Sequence, residues 1–265
     1  GATIAQAALP TLSEENANKD PSSFNKTFLN SLLQIIFLTL PAAAVLIVLR
    51  IPIVRLVYGA EKFDWLATVE TGRTLAFFSI ALVSESIVNL LVRAFYALKI
   101  SRTPVVLGGL AVGINIVLSV IFIQGLKFPV WGLAASAASA DIAFSIMLLL
   151  FLRKKLQIHF ANLFLPIVKM GIAAGLTLFS LYIPMKLLDQ LVFDTTRTLP
   201  LIFLTGIASG IGLVVYLFLT WLFQIDELNP FLSIFGKIRA MVVKRTPLPL
   251  PDIQSALVEP TTDRP

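Results

Sequence analysis

No cysteine occurs in this chain, so disulfides and thiolate metal sites are excluded. Histidine occurs once, as His159 in a basic linker, so no His/Cys cluster is available for metal or nucleophile chemistry. Neither a G-x-x-x-x-G-K-[ST] phosphate loop nor a G-x-S-x-G elbow is present. The chain therefore carries no enzyme signature, and energy from ATP would need a separate subunit. Charge is also scarce, at 14% of residues, where soluble domains carry about 25%. Short segments of alternating polarity are lacking, which excludes a membrane β-barrel. No charged region precedes "GATIAQAALP", so the opening is not a signal peptide. It reads as the tail of an apolar helix, and the chain is expected to be the C-terminal part of a longer protein.

What is present is apolar sequence in long runs. Hydrophobic residues make up 57% of the 265, and the mean hydropathy is +0.88. An integral membrane protein follows. Stretches long enough to cross a bilayer, roughly 17–25 residues, run over about 26–49, 72–97, 104–124, 129–152, 163–184 and 198–224. Lipid cannot satisfy open backbone groups, so all six are expected to be helices. The fold class is all-α, with six complete spans plus the end of a seventh. "RIPIVRLVYGAEKFDW" (50–65) is too short and too charged to span, and its Arg50, Arg55, Tyr58, Phe63 and Trp65 suit an interfacial turn. Pro41 predicts a kink in the first span.

The net charge of +6 comes from cations at the ends of apolar runs. That pattern points to topology and anionic lipid headgroups rather than to nucleic acid. With the loop at 12–26 placed in the cytoplasm, eleven Lys/Arg lie on the cytoplasmic side and six on the other, so the C-terminus is expected inside. The exception is the 50–65 turn, basic on the outer face. Beyond the last span, residues 226–245 read as an amphipathic surface helix. Asn229 and Pro230 stand at its start, and Phe231, Phe235, Ile238 and Val242 share one face. The tail, 246–265, is Pro-rich and expected to be disordered.

Small residues recur at four-residue spacing. Gly109/Gly113, Gly171/Gly175, Gly206/Gly210 and the run Gly132, Ser136, Ala140 predict close helix packing. Ionisable residues inside spans are the functional candidates, because they are costly in hydrocarbon. Glu85, Asn89 and Arg93 fall at i, i+4 and i+8, one polar stripe on one helix. Glu85 and Arg93 are about 12 Å apart along the axis, too far to pair directly. Either Asn89 and water bridge them or each faces a wet cavity. Arg93 has a second reading, snorkelling to headgroups beside Tyr96. Asp141 lies near the middle of its span. Gln34 and Asn115 suit interhelical amide bonds, although Asn115 is kept among the cavity candidates. Arg73 and Lys169 lie near helix ends and are set aside. Polar residues on several spans, glycine seams and a Pro-containing helix together suit a transporter with a central aqueous cavity.

Four stretches carry a family resemblance. "LLVRAFYALKISRTP" (90–104) resembles the "FYA…(D/S)-x-(K/R)-TP" segment of the MurJ/MviN family of lipid II flippases. "ATIAQAALPTLS" (2–13), "LPAAAVLIVLRIPIVRLVYGAEKFD" (40–64) and "GLAASAASADIAFSIMLLLFLRKK" (132–155) resemble further family passages in the same order. The resemblance covers nearly all of residues 1–225. Glu14 and Glu15 stand where some members carry a basic residue.

The resemblance implies a fourteen-helix exporter with two six-helix lobes and two extra C-terminal helices. Residues 1–152 would then be part of the C-terminal lobe, and 153–225 the two extra helices that form a lipid-tail groove. The implied activity moves lipid-linked peptidoglycan precursor from inner to outer leaflet of the bacterial cytoplasmic membrane by alternating access. The implied partners are that lipid and the missing N-terminal lobe. Arg93 would be a cation at the cavity's cytoplasmic end. Glu85 and Asp141 would hold it in place or bind a coupling ion or proton, and no cofactor is implied. The alternatives are another polyprenyl-linked polysaccharide flippase or drug/cation antiporter of the same fold, or a non-transporting scaffold of the cell-wall machinery. A transporter needs Glu85, Arg93 and Asp141 open to a shared cavity; a scaffold would bury them in pairs or turn them to headgroups.

Overall fold

A computed structural model describes residues 1–59, 64–156, 161–191 and 198–225. The surface helix expected over 226–245 and the tail 246–265 lie outside the described residues, as do Lys62, Phe63, His159 and Arg197. Every described element is helical: α1 (Ala2–Ala17), α2 (Pro21–Val48), α3 (Arg50–Tyr58), α4 (Trp65–Ala97), α5 (Arg102–Val120), α6 (Trp131–Leu156), α7 (Ala161–Leu191) and α8 (Thr198–Leu222). A five-residue π-helical turn, Ile121–Gly125, extends α5. Six of these helices are long and apolar enough to cross a membrane.

Helices α2 and α4 start earlier than their apolar runs because their caps are polar. Asp20 precedes α2, with Pro21 at the first helical position. Its carboxylate accepts from the backbone N–H groups of Ser22 and Ser23, both at 3.1 Å, and from their hydroxyls at 2.6 and 2.7 Å. The hydroxyl bonds, chiefly that of Ser22, hold the Asp20 carboxyl at about 2, below the usual carboxylate value. Asp64 does the same for α4, accepting from the Trp65 N–H at 2.7 Å. Hydropathy marks where the chain crosses hydrocarbon, whereas the cap marks where the helix begins. With 33 residues, α4 is about 50 Å long and overshoots a bilayer core of about 30 Å.

Helix α2 is the centre of the bundle. Phe24, Phe28, Leu32 and Ile35 are buried along it, and it packs against α1, α4 and α7. Pro41 is accommodated inside α2, which continues unbroken to Val48. The most extensive helix contact is between α4 and α6. In contrast, only Pro104, Leu107 and Ala111 of α5 are buried. The rest of α5 turns apolar side chains outward, Val105, Leu110, Val112 and Ile116 among them, as a lipid-facing rim helix would.

The 50–65 segment is more ordered than a turn. After Leu49 the chain enters the nine-residue helix α3, about 13 Å long and too short to span. Pro52 and Val54 are buried, while Val57 and Tyr58 are exposed. The Arg55 guanidinium stands 5.0 Å over the Trp65 ring. Gly59, at φ 80°, ends the helix in a conformation that side chains rarely adopt.

Three of the four small-residue seams do not pack as the spacing predicts. A Cβ added at Gly109, Gly113, Gly171, Gly175, Gly206 or Gly210 meets nothing within 4 Å, so these glycines face open space among the described residues. The run on α6 does pack. Gly132, Ser136 and Ala140 are buried, and a Cβ at Gly132 would come 2.9 Å from Phe128 Cβ. Spacing permits close approach, but the neighbouring helix decides which face is used.

Candidate functional site

The polar stripe on α4 keeps its register. Phe78, Leu82, Glu85 and Tyr96 are exposed, and Asn89 and Arg93 lie half-buried between them, all on one face at i, i+4, i+7, i+11, i+15 and i+18. Asn89 Nδ2 donates to the Glu85 carbonyl at 3.0 Å and approaches Glu85 Oε1 at 3.5 Å. The amide thus holds the carboxylate along the helix. Among the described residues Glu85 and Arg93 form no ion pair, as their axial separation requires.

Arg93 does not snorkel outward. Its Nη1 donates to the Ala2 carbonyl at 2.8 Å. The opening of α1 lies beside Ser86, whose side chain an added Cβ at Gly1 would touch. Ser86 is seven residues from Arg93, roughly 10 Å towards the start of α4. The guanidinium therefore points back into the span, away from the nearby helix end. Side chains of a helix lean toward its N-terminus, so a cation in the last turns of α4 is aimed into the span. The far ends of α1 and α4 are tied separately, by Asn16 Nδ2 donating to the Ala97 carbonyl at 3.1 Å. A guanidinium has five N–H donors, and this contact occupies one.

Asp141 is half-buried on α6, the helix packed most closely on α4. Its carboxylate lies within electrostatic reach of Glu85. The two carboxylates thus lie on packed helices, and Asp141 has no hydrogen-bond or ion-pair partner among the described residues. Like charges in this setting favour a counter-charge nearby.

Asn115 stands apart from that group and ties helices. Its Oδ1 accepts from Ser136 Oγ at 3.1 Å and from Ser119 Oγ at 3.3 Å, and the two hydroxyls are 2.7 Å apart. Ser136 is fully buried and also reaches the Leu133 carbonyl at 2.8 Å. Each hydroxyl has one proton, so the cluster shares its donors among several acceptors. Ser119 and Ser136 escaped sequence reasoning. The i, i+4 spacing of Asn115 and Ser119 was the available signal for the first; Ser136 registered only as a small residue. The two residues set aside stay at the periphery. Arg73 pairs with Glu70 at 3.2 Å, and Lys169 Nζ donates to the Phe223 carbonyl at 3.0 Å.

Comparison with known proteins gives a consistent picture. The family model described as "Lipid II flippase MurJ" matches residues 1–204. The chain is 30% identical over 210 residues to a probable lipid II flippase MurJ of Rhizobium meliloti (strain 1021), covering 76% of this chain and 37% of that protein. It is 27% identical over 215 residues to the lipid II flippase MurJ of Thermosipho africanus (strain TCF52B), covering 81% and 41%. A solved structure titled "Lipid II flippase MurJ, inward closed conformation" superposes with a TM-score of 0.66 at 25% identity, over 84% of this chain and 43% of that one. The chain thus spans less than half the length of the relatives it matches.

Proposed function

The chain belongs to the lipid II flippase MurJ family, and from that premise we propose that it acts as the C-terminal portion of a longer flippase. That protein carries a lipid-linked peptidoglycan precursor from the inner to the outer leaflet of the bacterial cytoplasmic membrane. The observation that carries this reading is the α4 stripe together with Asp141 on the adjoining α6. Three ionisable side chains at bilayer depth, Glu85, Arg93 and Asp141, are not fully buried, and no carboxylate–guanidinium pair joins them. Arg93 is directed into the span. This arrangement supports a hydrated cavity over a scaffold, which would seal such groups in pairs.

The chemistry follows from the substrate. A pyrophosphate headgroup cannot cross hydrocarbon unaided, so the passage must supply charge. Arg93 keeps its charge at any physiological pH and has donors left for phosphate oxygens. Glu85 and Asp141, carboxylates on packed helices, are the groups suited to bind a coupling cation or proton. Residues 1–152 contribute to the lobe, and the open α4 face meets the partner lobe that this chain lacks. The apolar exterior of α7 and α8, with Phe164, Phe203 and Phe218 exposed, suits residues 153–225 to a lipid tail. The excess of cations on one side supports a cytoplasmic C-terminus.

The test is complementation of a depleted strain with the full-length parent, scored by the amount of lipid II accessible at the outer leaflet. Arg93→Ala should lower that amount by about tenfold or more, as expected for loss of a charge-assisted phosphate contact. Arg93→Lys should recover part of it, and Glu85→Ala should fall in between. Full rescue by both alanine variants removes these residues from the mechanism.

A further inference from the structure

A second polar–apolar juxtaposition lies away from the α4 stripe. A cavity of about 380 Å³ opens between α7 and the corner where α2 passes into α3. That volume is in the range of ligand pockets, roughly 300–1,000 Å³. Its walls are apolar, formed by Ile47, Val48, Leu178 and Phe179, and Arg50, Gly175 and Tyr182 complete the lining. Beneath it Val48 and Leu49 pack with Leu181 and Ala208, so α2, α7 and α8 hold the walls in place. Gly175 leaves its side of the groove open, since an added Cβ there meets nothing within 4 Å. The outer edge faces away from the bundle, with Phe179 69% and Tyr182 56% exposed.

Arg50 is the informative residue. Its Nη1 donates to the Ile47 carbonyl at 2.7 Å. Among the described residues it pairs with no carboxylate, so most of its five donors have no protein acceptor. It also belongs to the segment 50–65, whose cations run against the charge asymmetry of the rest of the chain. The charge asymmetry gives no reason for a guanidinium at this corner; an interfacial position does, and there a phosphate can take the donors that the Ile47 carbonyl leaves free. An apolar slot beside an uncompensated cation and a phenol, at the end of a membrane span, has the chemistry of a phospholipid rather than of a soluble ligand.

We propose that this groove binds one anionic phospholipid of the surrounding leaflet, with an acyl chain along Ile47, Val48, Leu178 and Phe179 and its phosphate on Arg50. The site is separate from the α4 stripe, and the inference goes beyond the flippase reading without depending on it. The bound lipid would fasten α7 to the α2–α3 corner.

The experiment uses the purified full-length parent, stripped of lipid and titrated with phosphatidylglycerol or phosphatidylcholine of identical chains, with bound lipids counted by native mass spectrometry. The unsubstituted protein should retain one phosphatidylglycerol with about five- to tenfold preference over phosphatidylcholine, the scale of one cation–phosphate contact. Arg50→Gln should abolish the preference, and Arg50→Lys should keep most of it. Gly175→Leu fills open space without a clash at its Cβ, and it should lose the retained lipid whatever its headgroup. Lys127→Gln, a cation remote from the groove, should change nothing. The proposal fails if Arg50→Gln keeps the preference, if Gly175→Leu keeps the lipid, or if the groove proves to hold a second copy of the protein. Should Arg50→Gln not fold, the Arg50→Lys and Gly175→Leu pair decides alone.

Discussion

Helix α6 and the pair α7–α8 carry the same small-residue spacing and use it differently. On α6, Gly132, Ser136 and Ala140 are buried. Phe128 lies against Gly132, and Trp131 stacks on Phe128 and Phe77 at centroid distances of 4.7 and 5.5 Å. Ser136 adds hydrogen bonds to α5. On α7 and α8, Gly171, Gly175, Gly206 and Gly210 face open space. Where those two helices do touch, the glycine involved is Gly212, whose added Cβ would come 2.5 Å from Leu181 Cδ1, outside the recognised pairs. The lesson is that lipid provides no hydrophobic force between helices. A small residue permits an approach, and polar contacts or aromatic shape on the partner decide whether it happens. In α6 the small residues form a seam; in α7 they leave a slot.

The largest effect should come from closing the α6 seam. In Gly132→Ala the new methyl must displace Phe128 Cβ, an atom next to the backbone that cannot swing aside. Overpacking of this kind costs about 1–3 kcal/mol, read as a lower melting temperature in detergent or nanodiscs. A variant that melts like the parent would erase the distinction between the two regions. A smaller loss, about 1 kcal/mol, is expected for Ser136→Ala, which removes the hydroxyl shared by Asn115 and Ser119. Adding Asn115→Ala should then cost less than it does alone, because the two residues belong to one network. Strict additivity would mean that the α5–α6 contact rests on shape alone.

Much of this was legible in the sequence, and the illegible part has a common cause. The six spans follow from length and apolarity, and the polar stripe from the spacing of Glu85, Asn89 and Arg93 on one helix. These are properties of a single segment. The earlier starts of α2 and α4 are also local, set by Asp20 and Asp64, but hydropathy is blind to caps. The direction of Arg93, the nearness of Asp141 to Glu85, the role of Ser136 and the idle glycines all depend on which helices become neighbours. Periodicity along one chain segment holds no information about that. Helix α3 lies between the two cases. Its cations and aromatics suit a membrane surface, but its helical form goes with Pro52 and Val54 finding cover against the bundle.

The smallest effect should have the opposite sign and sharpen the comparison most. Gly109→Ala on α5 and Gly206→Ala on α8 each add a methyl where nothing lies within 4 Å. Glycine inside a helix is less favourable than alanine by roughly 0.5–1 kcal/mol, through the greater freedom it loses on ordering. Each substitution should therefore raise the melting temperature slightly, where Gly132→Ala lowers it. The same pair measured in the full-length parent asks what those faces meet. If stability rises and lipid II delivery is unchanged, the two glycines face only acyl chains, which yield to a methyl. If stability rises but delivery falls, the faces that are open here close against another part of the protein during the transport cycle. In that case the spacing on α5 and α8 serves a moving contact, whereas the same spacing on α6 serves a fixed one.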